Sequence, residues 1–226
     1  NSGFSLRGIG TNVFSTNIDP SVSIIVDDVA VVRSAQAFSD LSDIHHIEVL
    51  RGPQSTLFGK SASAGVISIT TNSPGDEFSG KVRVSTTDDD ETSINATIGG
   101  PLSDSVGFRL SAFNKDRSDG HIKNVTNGAD VNGSESSGVR GKLVWDISDT
   151  LSTTLSIEHS ESESSCCHRP YRDVPAAAKF LGAVPRDAVL TSVTASEDND
   201  RVAVDDPTWD DSSSDSMGLR FDADFG

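Results

Sequence analysis

Ile47-Glu48-Val49-Leu50-Arg51-Gly52-Pro53-Gln54 is the stretch on which the reading of this chain turns. Ile47 to Leu50 reads as a short strand, and Gly52-Pro53 stops it, because proline cannot donate to a sheet ladder and the Gly-Pro pair favours a turn. Upstream, Asp19-Pro20-Ser21-Val22 opens two apolar runs, Val22 to Val26 and Val29 to Val32, around an Asp27-Asp28 turn. Phe38-Ser39-Asp40-Leu41 comes next, and Ala35 to Leu41 has room for one helical turn or two. Downstream, Thr56-Leu57-Phe58-Gly59-Lys60 and Ala62-Ser63-Ala64 lead into a further strand from Gly65 to Thr70. Short strands and short helical pieces predict a small α/β sheet unit. It ends where the composition changes, near Asn72-Ser73-Pro74-Gly75-Asp76.

The whole chain of 226 residues is 35% hydrophobic and 23% charged, and its mean hydropathy is -0.27. No apolar run approaches the roughly 20 residues of a membrane helix, so a helical membrane protein is excluded. Eighteen basic against thirty-four acidic residues give a net charge of -16. That balance argues against a nucleic-acid partner, which needs clustered Lys and Arg to neutralise phosphates. A membrane β-barrel stays open, because alternating lipid-facing and lumen-facing residues average out as polar. Cys166 and Cys167 are adjacent and cannot staple a fold. Asn1-Ser2-Gly3-Phe4 has neither a basic nor an apolar leader region, so the expectation is a cytosolic protein or an internal piece of a longer one.

After Pro74 the pattern becomes period-two alternation. Val82 and Val84 oppose Lys81 and Arg83; Ile94, Ala96 and Ile98 oppose Asn95 and Thr97. Val106, Phe108, Leu110 and Ala112 alternate with Gly107, Arg109 and Ser111. Val139, Leu143 and Trp145 oppose Arg140, Lys142 and Asp146, and Leu151, Leu155 and Ile157 oppose Ser152, Ser156 and Glu158. Met217, Leu219, Phe221, Ala223 and Phe225 complete a sixth strand. The expected connectors at 99–104 and 147–150 are tight, whereas Ser118 to Ser136 and Ser162 to Ser212 are long and polar; the link at Asp88-Asp89-Asp90-Glu91 is short and acidic. Alternating short and long connectors fit an up-and-down barrel, with short turns on the periplasmic rim and long loops outside. A soluble β-sandwich also has one apolar and one wet face per strand, and is the bland alternative.

The motifs around the opening stretch resemble the plug domain of a TonB-dependent outer-membrane receptor. Those that carry the likeness are Val26-Asp27-Asp28-Val29, Ile47 to Gln54, Phe58-Gly59, and Ala62-Ser63-Ala64-Gly65-Val66-Ile67. Leu6-Arg7-Gly8-Ile9-Gly10 is similar to the arginine-glycine segment of the same plug. The likeness covers residues 1 to about 77, and Gly99-Gly100-Pro101-Leu102 resembles a periplasmic turn of the family. It implies an α+β plug, a small mixed sheet with short helices, over 1–77. The first strands of an antiparallel transmembrane β-barrel of the 22-stranded class follow over 78–226, incomplete at about six. Three positions depart: Asp28 where the turn usually carries glycine, His45-His46 where an acidic-basic pair is usual, and Ser55 where glycine is common. Aspartate tolerates positive φ better than most residues, so the turn survives.

By the same resemblance Arg7 and Arg51, with Glu48 beside the second, form the plug–barrel contact, each arginine meeting glutamates on later strands. Gly8, Gly10, Asp27, Gly52, Pro53, Gly59 and Gly65 are the plug-motif positions. A plain reading is that either arginine caps a sheet edge. The implied function is uptake of a scarce nutrient, most often a ferric siderophore, with glycans or cobalamin as alternatives. The implied partners are an inner-membrane TonB complex, contacting a segment before Asn1, and outer-membrane lipid. The reading from another class is a soluble β-rich binding module. No cofactor is implied. No catalytic motif such as G-x-S-x-G, a Walker loop or H-E-x-x-H occurs, so an enzyme is not expected.

His45-His46 and Cys166-Cys167-His168 are not read as metal sites, because consecutive residues of extended chain point apart. The acidic residues Glu197, Asp198, Asp200, Asp205, Asp206, Asp210 and Asp211 crowd the last long connector and read as a solvated loop. Calcium bridging to lipopolysaccharide, or attraction of a cationic ligand, is the functional alternative. Trp145 and Phe225 read as aromatic-girdle residues. Six strands alone would leave two unpaired edges in lipid, so the chain is not expected to form a working transporter alone.

Overall fold

The computed structural model describes residues 5–10, 20–31, 41–59, 61–88, 90–117, 120–166, 170, 180–181, 184–185, 193, 196–204 and 208–225. The helical piece expected from Ala35, as well as Lys60, Cys167, His168, Asp205 and Asp206, lies outside them. The first elements are β1 (Ser5–Leu6), β2 (Ile9–Gly10), β3 (Val22–Val26), β4 (Val29–Ala30), β5 (Ile44–Arg51), α1 (Ser55–Phe58) and β6 (Gly65–Thr71). Then come β7 (Ser79–Thr86), β8 (Thr92–Ser103), β9 (Val106–Arg117), β10 (Ile122–Asn124), β11 (Asp130–Val131), β12 (Ser134–Ser148) and β13 (Leu151–Cys166). The last are β14 (Phe180–Leu181), β15 (Val184–Pro185), β16 (Arg201–Val202) and β17 (Thr208–Ala223).

A small sheet runs in the order β4-β3-β6-β5. It is mixed: β3 and β6 are parallel, and β4 and β5 join them antiparallel. Strands β3 and β6 are apolar on both faces because both faces are covered. Val22, Ile24, Ala64, Ile67 and Ile69 pack with Leu6, Val26, Val31 and Ile44, while Ile25, Ala62 and Val66 pack with Leu50 and Phe58. Ile24, Val66 and Ile69 are almost completely buried, each contributing about 1.5–3 kcal/mol of hydrophobic stabilisation. The expected short helices are corrected to one four-residue turn, α1, among the described residues. Pro53 lies just before it, and Gly59, at φ 72° just after it, ends it. The neighbouring Val-, Ile- and Thr-rich segments favour strand, where their branched side chains pack on a pleated surface.

The second sheet has six antiparallel strands in the order β17-β13-β12-β9-β8-β7. Its register aligns the apolar positions of all six strands on one face. Gly80, Ile98, Leu110, Gly141, Ile157 and Met217 form one row across it, and Gly100, Phe108, Leu143, Leu155 and Leu219 form another. This band is open: Val82 is 71% and Met217 69% exposed. An apolar face of that extent needs a lipid surround. In a soluble sandwich the apolar faces would meet each other; in this molecule the small sheet covers the opposite, polar face. The sandwich reading is therefore corrected.

Strand ends differ from the expected ones. Gly99 to Ser103 belong to β8, and the tight turn is Asp104-Ser105. The strand continues because a register shift between Pro101 and Ser103 accommodates the proline. Gly100, at φ 158°, stays bare because the Phe78 backbone crosses where a Cβ would sit. The second tight turn is Asp149-Thr150. At the other end β12, β13 and β17 run 15, 16 and 16 residues, well beyond the roughly 9–11 that cross a bilayer. The extra length is serine- and carboxylate-rich on both faces, from Ser134 to Ser137 and from Ser160 to Ser165. Cys166 thus ends β13 opposite Thr208 rather than lying in the connector.

Candidate functional site

The small sheet docks on the inward face of the six strands, and charge holds it there. Every lysine and arginine of the six strands, from Lys81 to Arg220, falls at an inward position among the described residues. Three of these cations meet aspartates of the small sheet and its connections. Arg109 of β9 donates from Nε to Asp43 Oδ2 at 2.7 Å and from Nη2 to Asp43 Oδ1 at 2.6 Å, a two-pronged pair. Lys142 of β12 lies 3.0 Å from Asp27 Oδ2 and donates to the Thr71 carbonyl at 3.2 Å. Arg220 of β17 donates from Nη1 to Asp28 Oδ2 at 3.2 Å and from Nε to Asp222 Oδ2 at 2.9 Å.

Each aspartate is placed by local chain geometry. Asp27 and Asp28 form the β3–β4 turn, both with positive φ, at 45° and 69°. The turn drives its carboxylates toward the wall, and Gly218 makes room: a Cβ there would lie 3.0 Å from Val29 Cγ2. The Thr71 amide and hydroxyl both donate to Asp27. Asp43, in the turn before β5, also accepts from Asn72 Nδ2 at 2.8 Å. Burial alone would raise both carboxyl pKa values. The Thr71 hydrogen bonds and Lys142 outweigh burial at Asp27, and Arg109 and Asn72 outweigh it at Asp43, so both titrate below the ordinary carboxylate range.

The residues singled out from sequence lie elsewhere. Arg7 and Gly8 turn between β1 and β2, and Gly10 ends β2. Glu48 and Arg51 are exposed on β5, followed by Gly52 with φ 90° and Pro53. Gly59 follows α1 and Gly65 opens β6. Among the described residues no carboxylate lies within ion-pair distance of Arg7 or Arg51. Of the motif positions, Asp27 forms an ion pair with the strand wall. The imidazoles of His45 and His46 share a 2.6 Å hydrogen bond between their Nδ1 atoms, one donating to the other. Sequence reasoning missed Asp28, Asp43, Arg109, Lys142 and Arg220 as partners. The signal for the cations was present as charged residues at inward positions between apolar ones.

Beyond the apolar band described pieces of the two long connectors pair with each other. β10 pairs antiparallel with β11 and parallel with β16, over a core of Ile122, Val131 and Val202. Asn124 is fully buried at its centre. Its side chain donates to the Val204 carbonyl and accepts from the Val204 and Thr126 amides. At the same end of the inward wall, Lys115 Nζ and Arg117 Nη1 share one carboxylate, Glu91, at 3.1 and 3.9 Å.

Antiparallel strands that are apolar outside and cationic inside, with a mixed sheet docked on the inner face, define a membrane barrel wall with an internal plug. Comparison with known proteins narrows the class. Residues 1–66 match the TonB-dependent receptor plug domain. The chain is 32% identical over 129 residues to the pesticin receptor of Yersinia pestis, covering 57% of this chain and 19% of that one. It is 38% identical over 89 residues to the iron-regulated outer membrane virulence protein of Vibrio cholerae, covering 37% and 14%. The crystal structure of the ferric yersiniabactin uptake receptor from Yersinia pestis matches with TM-score 0.58 and 25% identity, over 65% of this chain and 23% of that one. The open form of the ferric-catecholate import receptor of E. coli K12 shares the fold over 90% of this chain and 29% of its own, at TM-score 0.68 and 18% identity. Over these stretches the chain is similar to TonB-dependent receptors of the outer membrane. It spans about a fifth of the length of the pesticin receptor it matches.

Proposed function

We propose that this chain is part of a receptor for TonB-dependent uptake of a ferric siderophore across the outer membrane. Residues 1–77 supply the C-terminal part of the plug, and residues 78–226 supply the first six strands of the barrel. The observation that carries the reading is the docked small sheet, held on the inner wall by ion pairs that can part rather than by an apolar core. A nutrient that must pass such a plug needs it displaced, and displacement needs energy from outside the outer membrane. An inner-membrane TonB complex is the proposed source. Iron enters the reading through the relatives: a ferric yersiniabactin receptor and an iron-regulated outer-membrane protein. Lys115 and Arg117, which share the single carboxylate of Glu91 at the outer end of the wall, support a ligand carrying negative charge. Arg7 and Arg51 are proposed to meet glutamates on strands beyond this chain.

The test is growth of a strain that lacks its other iron receptors and expresses the full-length receptor. Ferric siderophores of catecholate, hydroxamate and phenolate-thiazoline type would be supplied in turn as sole iron source, with and without functional TonB. Growth on at least one of them, lost without TonB, is expected. Growth support confined to glycans or cobalamin would overturn the siderophore reading.

A further inference from the structure

We propose that the three aspartate–cation pairs form a graded latch, hinged at Asp43–Arg109 and opening first at Asp28–Arg220. The inference rests on the reading of the small sheet as a plug against a barrel wall. The three pairs lie on β9, β12 and β17, so they run across the wall in order. They also differ in kind. Asp43 and Arg109 are 6% and 18% exposed and share two hydrogen bonds. Lys142 and Asp27 are also buried but meet through one oxygen. Asp28 and Arg220 are 71% and 56% exposed, where an ion pair contributes little.

What each cation keeps after separation sets the order. Arg220 already donates to Asp222 on its own strand, so losing Asp28 leaves no charge uncompensated. Arg109 and Lys142 stand directly opposite each other on adjacent strands, about 5 Å apart along the hydrogen-bonding direction. Like charges so placed repel, and Asp43 and Asp27 are the carboxylates that offset them. Parting either aspartate leaves a partly desolvated cation beside another, which is far costlier than parting an exposed pair. Asp28 fits this role in a second way. The family turn usually carries glycine there, and this chain accepts an aspartate at φ 69°, which provides a weak hold at the opening edge. Gly218 beside it lets the turn sit flush against β17.

The test uses the full-length receptor in outer membranes and in planar bilayers, with heat-modifiable gel migration as the check on assembly. Arg220→Met should leave resting conductance and exclusion of vancomycin unchanged. Asp43→Asn should raise resting conductance by about tenfold or more, because it leaves Arg109 and Lys142 abutted without one of their carboxylates. The distinguishing outcome is the double variant Asp43→Asn/Arg109→Met, expected to be less leaky than Asp43→Asn alone, since removing the second cation relieves the repulsion. Equal leak from Arg220→Met and Asp43→Asn, or a double variant leakier than the single, would overturn the latch. The aspartate variant leaves the strand wall intact, so the comparison holds if a wall variant fails to assemble. Conductance requires no siderophore. A receptor that transports no ferric siderophore but shows the expected order would refute the proposed ligand while keeping the latch.

Discussion

At the scale of single residues, the inner wall is governed by the cost of leaving a charge dry and alone. Asp43→Asn removes the negative charge and one of the two acceptor oxygens of a two-pronged bond from Arg109, and breaking such a pair from one side costs about 3–5 kcal/mol. Arg51→Glu changes an exposed side chain on β5 that has no carboxylate within ion-pair distance among the described residues. Urea titration of plug release in the full-length receptor should therefore show the larger loss for Asp43→Asn. Acid acts on the same pairs with a defined sign. Asp27 and Asp43 are held below the ordinary carboxylate range in the folded state, so their contribution is complete above the unfolded pKa of about 3.9. It is lost as pH falls through their lower folded values. Plug docking, read as resting conductance, should be flat from pH 8 to 5 and fail only below about pH 4. The motif that identified the fold lies around Arg51, whereas the contact residue Asp43 was invisible in sequence. A lone aspartate before a strand looks like any turn residue until register places Arg109 opposite it.

At the scale of elements, alternation told which residues face lipid but not how far each strand runs. Ile157, Leu155 and Leu219 were legible because apolar side chains recur every second position, and the register aligns them. Beyond His159 both faces of β13 are polar, so periodicity falls silent while the strand continues to Cys166. Backbone pairing with β12 and β17 extends it, and pairing leaves no mark on side-chain pattern. A charge on each side of that boundary measures it. Ile157→Arg, within the band, should cost about 2–4 kcal/mol and impair heat-modifiable assembly, whereas Glu161→Arg, beyond it, should cost little. The clasp between connectors gives a second test. Asn124→Ala would leave the part-buried amides of Thr126 and Val204 without their acceptor, each at no more than about 1–3 kcal/mol. Hydrogen exchange should quicken at Val125 and Val204 together, with β12 and β13 unchanged. Exchange that quickens at one connector alone would show that the two do not move as a unit.

At the scale of the molecule, orientation follows from three asymmetries that agree. The two tight turns, Asp104-Ser105 and Asp149-Thr150, lie at one end of the wall, where the chain enters β7. At the other end β9 is joined to β12, and β13 to β17, by the much longer segments 118–133 and 167–207. The strands overshoot the apolar band only at the connector end, and their outward charges there are all acidic: Asp116, Glu135, Glu163 and Asp211 sit side by side in one row. Short turns belong to the periplasmic rim and long loops to the outside in outer-membrane barrels, so the row of carboxylates faces the outer leaflet. Single cysteines test this in the full-length receptor with Cys166 and Cys167 replaced by serine. Asn127→Cys, in the exposed turn after β10, should react on intact cells with a membrane-impermeant thiol reagent. Asp149→Cys, in the second tight turn, should react only after the outer membrane is opened. The reverse pattern would invert the wall and place the Asn124 clasp in the periplasm. It would also leave the Lys115–Arg117 pair at the exit of the lumen rather than at its mouth, removing the charge argument for an anionic ligand.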